Sequence, residues 1–195
     1  MRLRALFLAA VSGLLVGGCG SKEEPAPAPV DRKEETVDKL PQLKRGYEEF
    51  VNTGAGVAFG RPPGWSAKEQ GAVTELNAPD ELVAARISID RTDDALGLDP
   101  KTSATQTAEL LPGYKKPLDP GKAKPFKHEY EGAIVEAKGV AKKSGVPQRV
   151  SVIVLERNGV AVVTAVIAEN AERNTGAESK QALEAIRTLR TRPPN

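Results

Sequence analysis

Residues 148–168 read Gln-Arg-Val-Ser-Val-Ile-Val-Leu-Glu-Arg-Asn-Gly-Val-Ala-Val-Val-Thr-Ala-Val-Ile-Ala. The first half alternates with the period of a strand, and Val150, Val152 and Val154 face one way. Asn158-Gly159 then separates two runs of β-branched residues. Both residue types tolerate positive φ, so the pair predicts a two-residue type I′ hairpin. Residues 160–168 are a nearly continuous apolar run, which predicts a central strand covered on both faces. A hairpin with one central strand commits the chain to an antiparallel sheet.

Outward from this hairpin, residues 133–141 form a further strand, and Lys142-Lys143-Ser144-Gly145 is the turn joining it. Residues 126–130 alternate as Phe-Lys-His-Glu-Tyr. That predicts a strand with His128 on the face of Phe126 and Tyr130, and Glu129 on the other. Residues 83–90 place Ile87 and Ile89 on one face and Arg86, Ser88 and Asp90 on the opposite one. Residues 72–77 form a half-buried strand that ends in the turn Asn77-Ala78-Pro79-Asp80. The first strand is Gly56-Val57-Ala58-Phe59, after which Arg61-Pro62-Pro63-Gly64-Trp65 turns and delivers the only Trp.

Two helices are predicted. Asp99 caps the first and Pro100 takes its first position; residues 102–111 continue it, and Pro112-Gly113 end it. Ala104, Thr107, Ala108 and Leu111 share one face. The last helix opens on the capping box Thr175-x-x-Glu178. It carries Ala182, Leu183, Ile186 and Leu189 as its stripe. Arg187, Arg190 and Arg192 lie toward its C-terminal end, where the helix dipole favours cations. A short stripe of Leu40, Leu43, Tyr47, Phe50 and Val51 predicts a small helix docked on the domain edge, against the opposition of Pro41 and Gly46. The expectation is an α+β domain over residues 46–191, with a curved, mostly antiparallel sheet of about six or seven strands and helices packed on it. Residues 192–195 are a tail.

The chain begins differently. Arg2 and Arg4 precede an apolar stretch at residues 6–16, too short to span a hydrocarbon core about 30 Å thick as a helix. A charged start, an apolar middle and small residues at the end match a secretory signal peptide over residues 1–18. The small residues lead into the only Cys: Leu15-Val16-Gly17-Gly18-Cys19. This motif resembles the lipobox of bacterial lipoproteins. The resemblance implies cleavage before Cys19 and acylation of its thiol and amino group, and several acyl chains hold a protein at a membrane without a spanning helix. Gly20, rather than Asp, follows the Cys. In a Gram-negative cell that resembles the signal for the outer membrane, facing the periplasm. Residues 19–45 then hold the lipidated Cys and a tether rich in Pro, Ala and charge, whose Pro-Ala alternation is extended and solvated.

Composition narrows the function. The chain has 195 residues, 28 basic against 26 acidic, with one Cys and one His. Loss of residues 1–18 removes two of the 28 basic residues and leaves a formally neutral chain. Near-neutrality argues against nucleic acid as partner. One Cys excludes an internal disulfide framework and thiolate-rich zinc sites. No metal or cofactor is implied: Gly54-Ala55-Gly56 precedes a strand rather than opening a helix, the wrong context for a dinucleotide loop. Asp90, Asp93 and Asp94 lack the spacing of a calcium loop and predict a solvated turn. No Gly-x-Ser-x-Gly elbow occurs, and His128 has no nucleophilic neighbour in sequence.

The order of elements, with Gly56-Val57-Ala58-Phe59-x-x-Pro62-Pro63-Gly64-Trp65 at its head, resembles the superfamily that unites PsbP, the Ran-binding Mog import factors and bacterial lipoproteins of the DcrB/LpqN type. The resemblance covers about residues 54–191. It implies a curved antiparallel sheet between helices and a role as adaptor or ligand binder rather than catalyst. It brings no interaction residues with it.

Candidate binding residues come from the chain itself. Lys115, Lys116, Lys122, Lys124 and Lys127 make the Pro-rich loop over residues 112–125 and its end locally basic, and long loops often carry function. Trp65 and Tyr114 are candidates for lining a pocket or capping the core. The leading expectation is a lipid-anchored, non-enzymatic domain that binds another envelope component. The alternative is a carrier of a small apolar molecule or lipid held between sheet and helix. An enzyme would have to rely on carboxylates such as Glu75 or Glu136.

Overall fold

The computed structural model describes residues 40–91, 98–157 and 161–191. Cys19 with its lipobox, the tether up to residue 39, Asp93, Asp94, the Asn158-Gly159 turn and residues 192–195 lie outside the described residues.

Strands β8 (Pro147–Arg157) and β9 (Ala161–Asn170) pair antiparallel, from Gln148 opposite Asn170 to Arg157 opposite Ala161. On the free side of β9 lie β5 (Val83–Asp90), β4 (Val73–Asn77) and β3 (Ser66–Gln70). On the free side of β8 lie β7 (Glu131–Val140) and β6 (Lys124–Pro125). The seven-stranded order is β3-β4-β5-β9-β8-β7-β6, every pair antiparallel, so β9 is central. A second sheet of three strands runs β1 (Glu48–Asn52), β2 (Val57–Arg61), β10 (Arg190–Thr191). Helix α1 (Pro100–Leu110) lies between β5 and β6 in the chain, and α2 (Gly176–Arg187) between β9 and β10. The sheet is open rather than a barrel, and the class is α+β.

Alternation along β8 builds two cores. Val150, Val152 and Val154 join Ala133, Val135, Ala137 and Val162 on one face, beneath Ala104 and Ala108 of α1 and beside Leu118. Ile153 and Leu155 join Ile87, Val163, Ala165 and Ile167 on the other, beneath Ala182, Ala185, Ile186 and Leu189, with Val57 and Phe59 of β2. Small residues on both helices let them approach the sheet closely. Helix α1 packs on β7 and β8. Thr164 and Val166 of β9 are therefore only half-buried, and the expected cover of the central strand is complete on one face only.

Helix α1 starts as expected: the Asp99 carboxylate accepts from the Thr102 backbone N–H at 2.9 Å, and Pro100 sits at the first helical position. Other expectations fail for identifiable reasons. The stripe from Leu40 to Val51 is not a helix. Gly46 at φ 86° stops any helix there, and Glu48–Asn52 pairs along its whole length with β2. Phe50 then lies 5.3 Å from Phe59, ring centre to ring centre. Strand β3 has no β-branched or aromatic residue to announce it; pairing with β4 forms it. Residues 126–130 are not a strand. The Phe126 N–H donates to the Gly132 carbonyl and the Tyr130 N–H to His128 Nδ1, both at 2.9 Å, so the chain turns back on itself before β7. Phe126 and Tyr130 are nevertheless both buried in the α2-side core. The capping box does not form: Thr175 takes the N-cap position without capping, and its hydroxyl donates to Glu169 at 2.7 Å. Arg190 leaves the helix for β10 and is buried.

The segment from Gly113 to Pro125 follows the outer edge of β7 instead of looping into solvent. Gly113 accepts from Lys142 N–H at 2.7 Å, Lys115 N–H donates to Val140 at 2.9 Å, Gly121 N–H donates to Glu136 at 2.9 Å, and β6 closes the line. Prolines and lysines along it deny the edge to another chain. Gly139 makes this fit possible: a Cβ there would stand 2.3 Å from Leu118 Cδ2 and 2.7 Å from Tyr114 Cδ1. Gly139→Ala is therefore expected to destabilise the fold by about 1–3 kcal/mol through overpacking. Urea denaturation reads this as a lower midpoint, and an unchanged midpoint would contradict the packing described.

Candidate functional site: a charged groove beside the β7 edge

The residues singled out from sequence do not converge. Trp65 is a core residue, 3% exposed, and its indole N–H donates to Gln181 Oε1 of α2 at 2.8 Å. Tyr114 packs on the opposite face, in the α1-side core, and its hydroxyl donates to Gln148 Oε1 at 3.0 Å. The two aromatic residues therefore line no common pocket. Glu75 and Glu136 also lie on opposite faces of the sheet, because Glu75 falls in register with Val152 and Val135, next to Glu136 in β7. They form no carboxylate pair. Among the lysines, Lys124 pairs with Glu136 at 3.2 Å, Lys115 and Lys116 flank a shallow hollow with Pro117 and Lys138, and Lys122 is exposed.

What the edge segment does create is a groove. It lies on the α2 side of the sheet, over the end of β7 and β8 that α2 leaves open. It encloses about 490 Å³ and is lined by Asp119, Gly121, Glu136, Lys138, Arg149, Ser151 and Glu169, with Ala137 and Val150 beneath. Leu118 is sunk in the α1-side core, which turns Asp119 the other way, into the groove. The neighbouring hollow of about 370 Å³ shares Asp119 and Lys138 with it.

One wall is rigid. Arg149 Nε donates to Glu169 Oε1 at 2.5 Å and Arg149 Nη2 to the Thr175 hydroxyl at 3.1 Å. Ser179 and Thr175 also donate to Glu169 Oε2. Burial pushes the Glu169 carboxyl up, but these hydrogen bonds outweigh it and hold the group below the usual carboxylate range. Glu169 thus sits as a fixed anion at the start of α2, where the helix dipole favours it, in place of the expected capping box. The polar half of each strand's alternation was visible in sequence: Glu136 and Lys138 on β7, Arg149 and Ser151 on β8. The turn at residues 142–145 fixes their register, and that signal could have located the groove.

The only His belongs elsewhere. Because the Tyr130 N–H donates to His128 Nδ1, the ring proton sits on Nε2, which donates to the Leu189 carbonyl at 3.1 Å. Both nitrogens are engaged with backbone. Burial and the adjacent Arg190 guanidinium lower the imidazole from 6.5 to about 4. Arg190, 6% exposed, donates to Leu189 O at 2.7 Å and to Glu129 Oε2 at 2.5 Å. His128 is therefore neutral, with both ring nitrogens held in backbone hydrogen bonds.

No family model matches the chain, and no curated protein matches its sequence. Solved structures do match. The Ran-binding protein Mog1p of Saccharomyces cerevisiae superposes with a TM-score of 0.52 and 12% identity over 74% of this chain and 95% of Mog1p. A protein of Bacteroides thetaiotaomicron gives 0.49 and 17% identity over 75% of this chain; the chain spans about half its length, 49%. LpqN of Mycobacterium tuberculosis, involved in cell envelope biogenesis, gives 0.40 and 14% identity over 83% of this chain and 88% of LpqN. The likeness to Mog1p shows a Mog-like fold, as the resemblance in sequence implied.

The His128 environment predicts a pH dependence. The unfolded imidazole takes up its proton near 6.5 and the folded one only near about 4. Between those values the unfolded state binds more protons, so stability is full above 6.5 and falls as the pH drops toward 4. Denaturation midpoints measured across that window should show the slope, and His128→Gln should flatten it. An equal slope in both proteins would contradict the assignment.

Proposed function

We propose that the protein is a lipid-anchored, non-enzymatic binding protein of the bacterial cell envelope. Cys19 carries the lipid, residues 19–45 form the tether, and the domain over residues 46–191 presents the groove beside β7 to another envelope component. The single observation that carries this reading is that the only Cys stands directly after an apolar stretch and two glycines, in Leu15-Val16-Gly17-Gly18-Cys19. No helix among the described residues is long and apolar enough to cross a membrane. Gly20 after the Cys favours the outer membrane, facing the periplasm, where the cell has one. Two features support binding over catalysis. Mog1p, which shares this fold, is a Ran-binding protein, and the only imidazole of this chain is locked in backbone hydrogen bonds.

A second reading, a carrier of an apolar molecule or lipid, is favoured by one observation. A cleft of about 410 Å³ between α1 and β9 is lined by Leu98, Leu110, Leu111, Pro112 and Val162, with Asp90, Ser103, Gln106, Thr107 and Thr164 making up its polar half. Leu110 in it is 82% exposed.

One experiment addresses both. In cells fed a labelled fatty acid, the wild-type chain should take up label and fractionate with membranes. Cys19→Ser should lose both and retain the uncleaved signal peptide. A Cys19→Ser chain that is processed and membrane-bound like wild type would refute the anchor. A lipid or other apolar molecule recovered stoichiometrically with the purified protein would favour the carrier.

A further inference from the structure

The groove breaks a rule of sheet construction. Lys138 stands directly opposite Arg149 in the β7–β8 ladder. Like charges in that position repel. Arg149 is neutralised by Glu169 on its other side, whereas Lys138 has no hydrogen-bond or ion-pair partner among the described residues. Asp119, which lines both the groove and the adjoining hollow together with Lys138, is likewise without a partner among the described residues. It does not close onto Lys138. The Ser151 hydroxyl, opposite Glu136 in the same ladder, is also without a partner among the described residues. Around these three, every other charge lining the groove is paired: Glu136 with Lys124, and Arg149 with Glu169. A bare anion would answer Lys138 but meet Asp119; a bare cation would do the reverse.

We infer that the groove binds a small dipolar ligand whose anionic group docks on Lys138 while its ammonium group docks on Asp119. This deepens the proposed function and rests on the groove being the recognition surface. The groove's volume of about 490 Å³ lies within the range of small-ligand sites, about 300–1,000 Å³. Two sources share this chemistry: a free amino acid or short peptide, and an ethanolamine phosphate lipid headgroup. Local rules are broken where function requires it, and the unanswered Lys138 fits that pattern.

The test titrates the full chain in detergent with L-alanyl-L-alanine and, separately, with glycerophosphoethanolamine, read by calorimetry. At least one probe should bind with a dissociation constant of about 1 mM or tighter. Lys138→Met should weaken it about tenfold or more, the scale of one charge-assisted hydrogen bond. Asp119→Asn should do the same, as should N-acetylation of the dipeptide or removal of the ethanolamine. Lys143→Met, in the exposed β7–β8 turn, should bind as wild type does. Lys138→Met should melt no lower than wild type, because it removes a like-charge pair, and this separates lost binding from lost fold. Binding of the dipeptide alone identifies the free ligand as the source; binding of the phosphate probe alone identifies the headgroup. Absence of binding by both probes overturns the inference, as does binding that ignores Lys138→Met and Asp119→Asn. A chain that binds neither probe but is still released from membranes by Cys19→Ser keeps the anchored-domain reading and loses only the dipolar ligand.

Discussion

The pairing of β8 with β9 on one side and β7 on the other is the interaction on which the structure depends. Strand β8 is apolar on both faces over its middle, with Val150, Val152 and Val154 toward α1 and Ile153 and Leu155 toward α2. A sheet of this kind cannot leave either face in water, so two separate covers are required. Full burial of each such side chain contributes about 1.5–3 kcal/mol, against about 0–1 kcal/mol for an exposed ion pair. The two apolar layers therefore set the fold, and the charges along the β7 edge contribute little to it.

Polar contacts join the second sheet and the helices to this frame. Asn52 is fully buried; its amide donates to the Gly71 and Val73 carbonyls and to Thr74 Oγ1, and its carbonyl accepts from Ala55 N–H. One side chain thus ties the end of β1 to the β3–β4 hairpin, with its hydrogen-bonding groups answered. Thr188 accepts from Gly60 N–H at 2.8 Å and donates to Ala185 O, locking the end of α2 onto β2. The guanidinium groups of Arg157 and Arg190 lie 5.8 and 5.9 Å from the Tyr130 ring centre, and the Tyr130 hydroxyl accepts from Thr191 N–H. Arg190 Nε is the one buried side-chain nitrogen or oxygen among the described residues left without a hydrogen-bond partner.

Much of the seven-stranded sheet was legible because its signals are local. Alternation in residues 148–156, the continuous run after it and the Asp99-Pro100 cap each need only a few neighbouring residues. The elements that were misread depend on distant ones. Strand β1 was hidden by a helical stripe whose Leu43 and Tyr47 pack beside Gly60 instead. Strand β3 has no propensity of its own and forms by pairing with β4. Thr175 and Glu178 make a valid capping box in sequence, but Glu169 arrives from β9 and takes the hydroxyl of Thr175. The groove was half legible. Its basic loop and the polar positions of β7 and β8 stand out in sequence, while Asp119 acquires meaning only when the edge segment is laid along β7. Trp65 stands out by its rarity, yet its place is in the core.

The β7 edge is where the fold and the proposed binding surface share residues. The same segment that seals the sheet edge forms one wall of the groove, and the Arg149–Glu169 pair that anchors the start of α2 forms the other. The most direct test of this account places a photo-crosslinking amino acid at Lys122, exposed and next in sequence to Gly121 of the groove lining, and at Glu69, on the opposite edge of the sheet, in the full chain in intact bacteria. The account predicts a discrete adduct from Lys122 and none from Glu69. An adduct from Glu69 with none from Lys122, or none from either, would contradict it.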